Sequence, residues 1–435
     1  MEHELMTQHF DTLAVHAGMD PQAHGGSCQM PIYQTASYVF RDSKQAADLF
    51  ALREMGNSYS RLTNPTVTAL QDRLAALHGG VGAVVTASGH AGQILALFNL
   101  MSPGDHLVAS NRCYGGTISQ FKNSFRQFGW NVTMVDVDDP ENARRAITPK
   151  TKAIYAESLA NPGGVISDIE ALAKIAHENG IPLIIDNTMA SPYLLRPIEF
   201  GADIVCESTT KFLAGNGTAV GGAVIDSGNF DWTQNDKFPL LNGPESAYNG
   251  MNFAKECGKM AFTYRGIAVG LRDIGACQSA MNAFLTLNGI ETLPLRMQKH
   301  VENAMIIAQW LESHPEVSWV GYAGLPSSKY HALAKKYLPK GAGSVFTFGL
   351  KGGFEAGRSL VESVKMAKHV ANIGDTRTLV IHPSSTTHSQ LSEEHQIMAG
   401  AGPDVVRLSV GIEHPDDIKA DLDQAIQKGK MARAA

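Results

Sequence analysis

Between Thr66 and Cys206 short apolar runs alternate with stretches of helical periodicity, and this alternation narrows the fold more than any other feature of the chain. Val67, Leu70, Leu74 and Leu77 share one helical face, and Gly79-Gly80 closes that segment. Ala83-Val84-Val85 precedes a helix starting near Gly89, and His106–Ala109 precedes one near Gly115. Val132–Val135, Lys152–Ala156, Pro182–Ile185 and Asp203–Cys206 read as further buried strands. Ser167 with Glu170 three residues on predicts a capping box for a helix whose face carries Ile169, Leu172 and Ile175, with Gly180 as its stop. Such a rhythm predicts an α/β fold, a mostly parallel sheet with helices on both faces.

After about residue 260 the rhythm weakens. Helices near 298–312, 357–371 and 416–428 mix with strands at Ser344–Phe348 and Val405–Ser409, which predicts a smaller α+β C-terminal domain. Residues 1–65 carry little periodicity and read as an arm that packs on another body, often a neighbouring subunit. The predicted organisation is therefore an arm over 1–65, a main domain over 66–285 and a C-terminal domain over 286–435.

A length of 435 residues with 44% hydrophobic content gives ample material for a large core. The net charge of −6 supplies no electrostatic footprint for nucleic acid or an anionic membrane. No apolar run reaches membrane-spanning length, and the opening residues lack the pattern of a signal peptide. The 5 cysteines are scattered and without a CxxC pair, which argues against a disulfide framework or zinc cluster and suits a reducing compartment. A cytoplasmic protein is expected.

In an open parallel sheet, ligands bind beyond the carboxyl ends of the strands, so the residues following each strand carry the chemistry. Ser88-Gly89-His90 turns into a helix, presenting backbone N–H groups and a positive dipole end suited to phosphate; a purely steric glycine turn is the plainer alternative. Asp186 ends its strand as a carboxylate at this edge, or else as a cap for the next turn. Ser208-Thr209-Thr210-Lys211 follows the next strand. A half-enclosed lysine there has a lowered amine pKa and can attack carbonyls, with the Ser208 and Thr210 hydroxyls beside it for an anion. A phosphate cradle, a nucleophilic lysine and a carboxylate for a ring nitrogen together match what pyridoxal phosphate requires of a protein. Tyr114, before Gly115-Gly116, suits stacking on a flat ring or a place in the core. Arg407 in an apolar strand suits a substrate carboxylate or a structural ion pair. His382 and His388 suggest a metal at first sight, but no carboxylate or further histidine falls at helical spacing, so no metal is expected.

These separated motifs resemble the Cys/Met-metabolism family of pyridoxal-phosphate enzymes over nearly the whole chain, from about Phe10 to Gly429. The resemblance implies the aspartate aminotransferase-like PLP-dependent transferase fold, fold type I. It implies that Tyr59 and Arg61, in YSRLTNPT, reach into the neighbouring subunit's site and bind the cofactor phosphate, with Tyr59 also near substrate. It assigns Ser88, Gly89 and His90 to the backbone phosphate cradle, and Tyr114 to the ring face. Glu157 and Asn161 fall in the E-x-x-x-N-P segment near the cofactor hydroxyl. Asp186 becomes the pyridinium partner with Thr188 close by, Ser208 and Thr210 the phosphate hydroxyls, and Lys211 the Schiff-base lysine and general base. Arg407 holds the substrate carboxylate, and Asn372 stands near it where many relatives carry serine.

Within the family, FDTLAVHAG, GDTRTLVIHPSSTTHSQL, VRLSVGIEH and the insertion around Phe238–Gly243 have the cast of members that act on O-acetylhomoserine. The implied reaction is γ-replacement by sulfide or a small thiol, giving homocysteine or methionine and acetate, with Lys211, Tyr114 and Asp186 as catalytic residues. Methionine γ-elimination and cystathionine synthesis share fold and cofactor and stand as alternatives; a non-catalytic phosphate-binding α/β protein would leave Lys211, Asp186 and Arg407 unexplained. The implied partners are small molecules and further copies of the chain, as a tetramer built from dimers that share active sites.

Overall fold

The computed structural model describes residues 8–161, 164–390, 392–398 and 400–434. The first seven residues of the expected arm, and Pro162 of the E-x-x-x-N-P segment, lie outside them.

The six strands of the alternating region and one beyond it build a single sheet: Gly82–Thr86 (β1), His106–Ser110 (β2), Asn131–Val135 (β3), Thr151–Glu157 (β4), Leu183–Asp186 (β5), Ile204–Glu207 (β6) and Gly222–Asp226 (β7). Their order across the sheet is β1-β7-β6-β5-β4-β2-β3. The ladder from β3 through β6 is parallel, whereas β7 runs antiparallel to both β6 and β1. β1, β2, β4 and β6 are buried along their whole length, as expected where helices cover both faces.

Helices follow where apolar periodicity places them: Phe10–His16 (α1), Pro65–His78 (α2), Gly89–Phe98 (α3), Gly115–Lys122 (α4) and Ile169–Glu178 (α5). α2 is capped by Asn64, whose side chain accepts from the Thr66 and Val67 amides, and closes on Gly79 at φ +72°. α5 corrects the expected capping box. Asp168 caps it by accepting from Ala171 N at 3.3 Å, while the Ser167 hydroxyl donates to the Glu157 carbonyl at 2.7 Å.

A second sheet joins Val317–Gly321 (β8), Val345–Leu350 (β9), Lys368–His369 (β10), Leu379–Ile381 (β11) and Val405–Ser409 (β12) in the order β10-β11-β12-β9-β8. Leu293–Glu312 (α6) and Gly353–Ser363 (α7) pack with it, and Pro415–Ala434 (α8) packs on both of these helices. The helix expected over 357–371 stops at Ser363. The amides of Lys365, Met366 and Ala367 instead donate to the Asp421 carboxylate at 2.7–3.0 Å, so a residue of α8 captures groups that would have continued the helix.

Part of the expected arm packs on its own chain. α1 buries Leu13 and Ala14 among the core side chains and lies against α2 and α6, and Phe10 meets the Tyr193 ring edge-on at 5.4 Å. Beyond it Val39, Phe50, Met55 and Tyr59 stand exposed.

Candidate active site

The parallel register aligns Glu157 with Asp186 and Asp186 with Cys206, so the carboxyl ends of β4, β5 and β6 form one edge. Two turns interlock there. Ser88 caps α3 by accepting from Ala91 N at 3.2 Å. A Cβ at Gly222 would lie 2.2 Å from the Ser88 carbonyl and 2.6 Å from Gly89 N, and one at Gly89 would lie 2.9 Å from Ser208 Cβ. Only glycine permits this approach. Among the described residues the Gly89 and His90 amides and the Ser208 hydroxyl have no protein partner, which leaves a cluster of donors at a helix N-terminus, the environment a phosphate favours. Ser208 N itself donates to Thr188 Oγ1 at 2.8 Å. The Thr210 hydroxyl is already engaged: it accepts from Gly221 N at 3.0 Å and donates to Gly221 O at 3.2 Å.

Asp186 is both the cap of the next turn and the anchor of a polar network. Its Oδ1 accepts from Thr188 N at 3.0 Å, and Oδ2 accepts from Gln93 Nε2 at 3.2 Å and Tyr155 OH at 3.1 Å. Burial, and secondarily the Asp186 charge, push the Tyr155 phenol well up, so it stays a donor. Gln93 and Tyr155 were not singled out in the sequence. The signal was positional: Gln93 lies four residues past Gly89 on α3, and Tyr155 two residues before Glu157 on β4, each on the face of its functional neighbour.

Lys211 Nζ donates to Asn372 Oδ1 at 2.6 Å. Burial, reinforced by the Arg407 charge, lowers its amine to about 8. Arg407 Nη1 donates to Asn161 Oδ1 at 3.3 Å and Nη2 to the Asn372 carbonyl at 3.2 Å. No carboxylate pairs with it among the described residues, so the structural ion pair is not what holds it; burial lowers the guanidinium to about 10. Glu157 ties the wall together, accepting from Tyr114 N at 2.5 Å and Asn161 N at 3.2 Å. Burial, and then the neighbouring Asp186, raise its carboxyl well above the usual range. Tyr114 stands at the N-terminus of α4, 47% exposed, with its ring 6.0 Å from the His90 ring.

One chain thus brings together Ser88, Gly89, His90, Tyr114, Glu157, Asn161, Asp186, Thr188, Ser208, Thr210, Lys211, Asn372 and Arg407 through linked contacts. Tyr59 and Arg61 stand apart. They line a separate cavity of about 730 Å³ with Asn64 and Gln278, and Arg61 Nη1 donates to the Arg272 carbonyl at 2.7 Å. His382, once weighed as a metal ligand, spends its ring nitrogens on Ser385 Oγ at 2.9 Å and the Pro403 carbonyl at 2.8 Å.

A family model described as Cys/Met metabolism PLP-dependent enzyme matches residues 11–427. The chain is 48% identical over 419 residues to O-acetyl-L-homoserine sulfhydrylase 1 of Thermus thermophilus, covering 96% of this chain and 99% of the relative. It is 46% identical over 423 residues to homocysteine synthase of Schizosaccharomyces pombe, covering 97% and 99%. Among solved structures, the Campylobacter jejuni metY product superposes with a TM-score of 0.93 at 41% identity, covering 97% of this chain and 100% of that one; it carries N'-pyridoxyl-lysine-5'-monophosphate.

Proposed function

The chain belongs to the Cys/Met-metabolism pyridoxal-phosphate-dependent enzymes and has the fold type I transferase architecture, and from that premise we propose that it converts O-acetyl-L-homoserine and sulfide, or a small thiol, to L-homocysteine or L-methionine and acetate. The observation that carries this reading is the Lys211 amine donating to Asn372, the same residue whose carbonyl takes Arg407, on the sheet edge that also bears Asp186.

The residues fit the cofactor. The unpartnered Gly89 and His90 amides and the Ser208 hydroxyl suit its phosphate, with Thr210 bracing the Gly221 turn beside them. Asp186, oriented by three donors, suits its ring nitrogen, and the exposed Tyr114 ring offers a flat face. Pyridoxal phosphate, when bound, supplies an aldehyde for amines and a protonated ring that accepts electrons from the carbon next to the captured amine. Lys211, whose amine gives up its proton more readily than an ordinary lysine's, is the base that removes the Cα proton and then moves protons at Cβ. Arg407 receives the substrate carboxylate with the donors its two asparagine contacts leave free. Glu157 positions Tyr114 through its backbone, and the Tyr114 hydroxyl moves the proton to the departing acetate.

Tyr59 and Arg61 complete the phosphate site of a neighbouring copy, which makes the working unit at least a dimer and, by family likeness, a dimer of dimers. The exposed apolar side chains Val39, Phe50 and Met55 on the same segment support this reading. Among the described residues no helix is long and apolar enough to cross a membrane; a cytoplasmic site of action accords with that and with the biosynthetic substrates.

The test is product identification with the purified, cofactor-loaded protein. Homocysteine formed only when O-acetylhomoserine and sulfide are both present is the expected result. Methanethiol and a keto acid from methionine alone would replace the reading with γ-elimination.

A further inference from the structure

β11 pairs with β12 so that Ile381 faces Arg407, and the segment leaving β11 is therefore delivered to the mouth of the site. That segment ends in His388. Its backbone is pinned at both ends: His388 N donates to the Pro383 carbonyl at 2.9 Å, and its own carbonyl accepts from Gln396 Nε2 at 2.9 Å. The ring is pinned as well, with Nδ1 at 2.9 Å from Thr387 Oγ1. The other nitrogen, Nε2, has no partner among the described residues. It faces Gly115, where an added Cβ would lie 3.7 Å away. On the neighbouring glycine a Cβ would lie 2.5 Å from Tyr114 Cε1 and 2.9 Å from His90 Cε1. Tyr114, His90 and His388 thus all pack around the Gly115-Gly116 step. Burial, and then the Arg407 charge, lower the His388 imidazole below its ordinary value.

We propose that His388 is the specificity residue for the acyl end of the substrate, donating from Nε2 to the carbonyl oxygen of the ester carried on Cγ. The inference rests on the γ-replacement reading and deepens it. With the α-carboxylate at Arg407, the side chain of an acylated homoserine extends away from the clamp, and its ester carbonyl is an acceptor that needs a donor once enclosed. The Thr387 hydroxyl lies 2.9 Å from Nδ1, and in the tautomer in which it donates there the proton sits on Nε2, which is the form the proposal requires.

The experiment compares wild type with His388→Phe, His388→Ala and His388→Gln, all loaded with cofactor. Two quantities are measured: kcat/KM for O-acetylhomoserine with sulfide, and the spectral Kd for L-norvaline, an acyl-free amino acid. The expected result is a loss in kcat/KM of about tenfold for Phe and Ala, the worth of one hydrogen bond, with partial recovery in Gln and no change in norvaline affinity. Full activity in His388→Phe overturns the proposal. An equal loss of norvaline affinity also overturns it, because the role is then scaffolding. A wild type that binds norvaline yet leaves O-acetylhomoserine untouched overturns the parent reading, a failure visible before any substitution is made.

Discussion

Lys211 is where the lowering of a single amine pKa has a measurable consequence before any substrate is present. Its amine titrates near 8, against 10.5 for an ordinary lysine. Only the neutral amine attacks an aldehyde. The rate at which cofactor-free protein takes up pyridoxal phosphate should therefore rise with pH and level off just above about 8, as followed by absorbance in a stopped-flow instrument; a rise continuing to pH 10 would contradict the assignment. Lys211→Ala should give a colourless, inactive protein with unchanged far-UV circular dichroism. Tyr155→Phe removes one donor to Asp186 and should weaken cofactor binding by about 1 kcal/mol, read from an absorbance titration. At this scale most of the site was legible, because Lys211, Asp186 and Arg407 are residue types that seldom end or enter buried strands without a reason. Gln93 and Tyr155 were not, since an amide on a helix and a tyrosine in a strand are ordinary until their side chains are seen to converge on one carboxylate oxygen.

Among the elements, β7 is the strand that the sequence did not announce. It lies past the alternating region, and its antiparallel direction breaks the rhythm that marks the others. Its glycine is needed for the approach to the Ser88 turn. Gly222→Ala places a Cβ 2.2 Å from a carbonyl oxygen, and overpacking of this kind should destabilise by about 1–3 kcal/mol and weaken cofactor uptake, measured by denaturant unfolding and absorbance. The end of α7 was misread for a different reason: the acceptor that stops it, Asp421, is far away in sequence, and no local pattern encodes it. β7 also closes on a buried carboxyl, Asp226, which burial lifts from 3.8 to about 7. Between those values the folded state holds the proton more tightly than the unfolded chain, so stability falls as pH rises, and the full penalty is present above about 7. Asp226→Asn should therefore raise the melting temperature at pH 8, and the gain should fade towards pH 4.

For the whole molecule, the decisive feature is the separation of Tyr59 and Arg61 from the residues they are meant to serve. YSRLTNPT marks them by family likeness, yet no pattern within one chain says where an arm will land. If sites are shared, Lys211→Ala and Arg61→Ala proteins, each inactive, should complement each other when unfolded and refolded together. Random pairing would return about a quarter of the wild-type sites, because only one of the two sites in each mixed dimer is whole. No recovery would mean that each chain works alone.

The β1–β7 pairing has a further consequence for how the molecule is made. Thr86 bonds opposite Gly222, and the turn after Thr86 is shaped by that glycine. A chain emerging from the ribosome has synthesised Ser88 and Gly89 long before it holds the strand that fixes them. The phosphate turn must therefore wait, unformed, through the translation of five intervening strands, a long-range closure of the kind that slows folding. Capture of the cofactor is on this account a late event in biogenesis, following completion of the large sheet, and a nascent chain truncated before Gly222 should bind no pyridoxal phosphate.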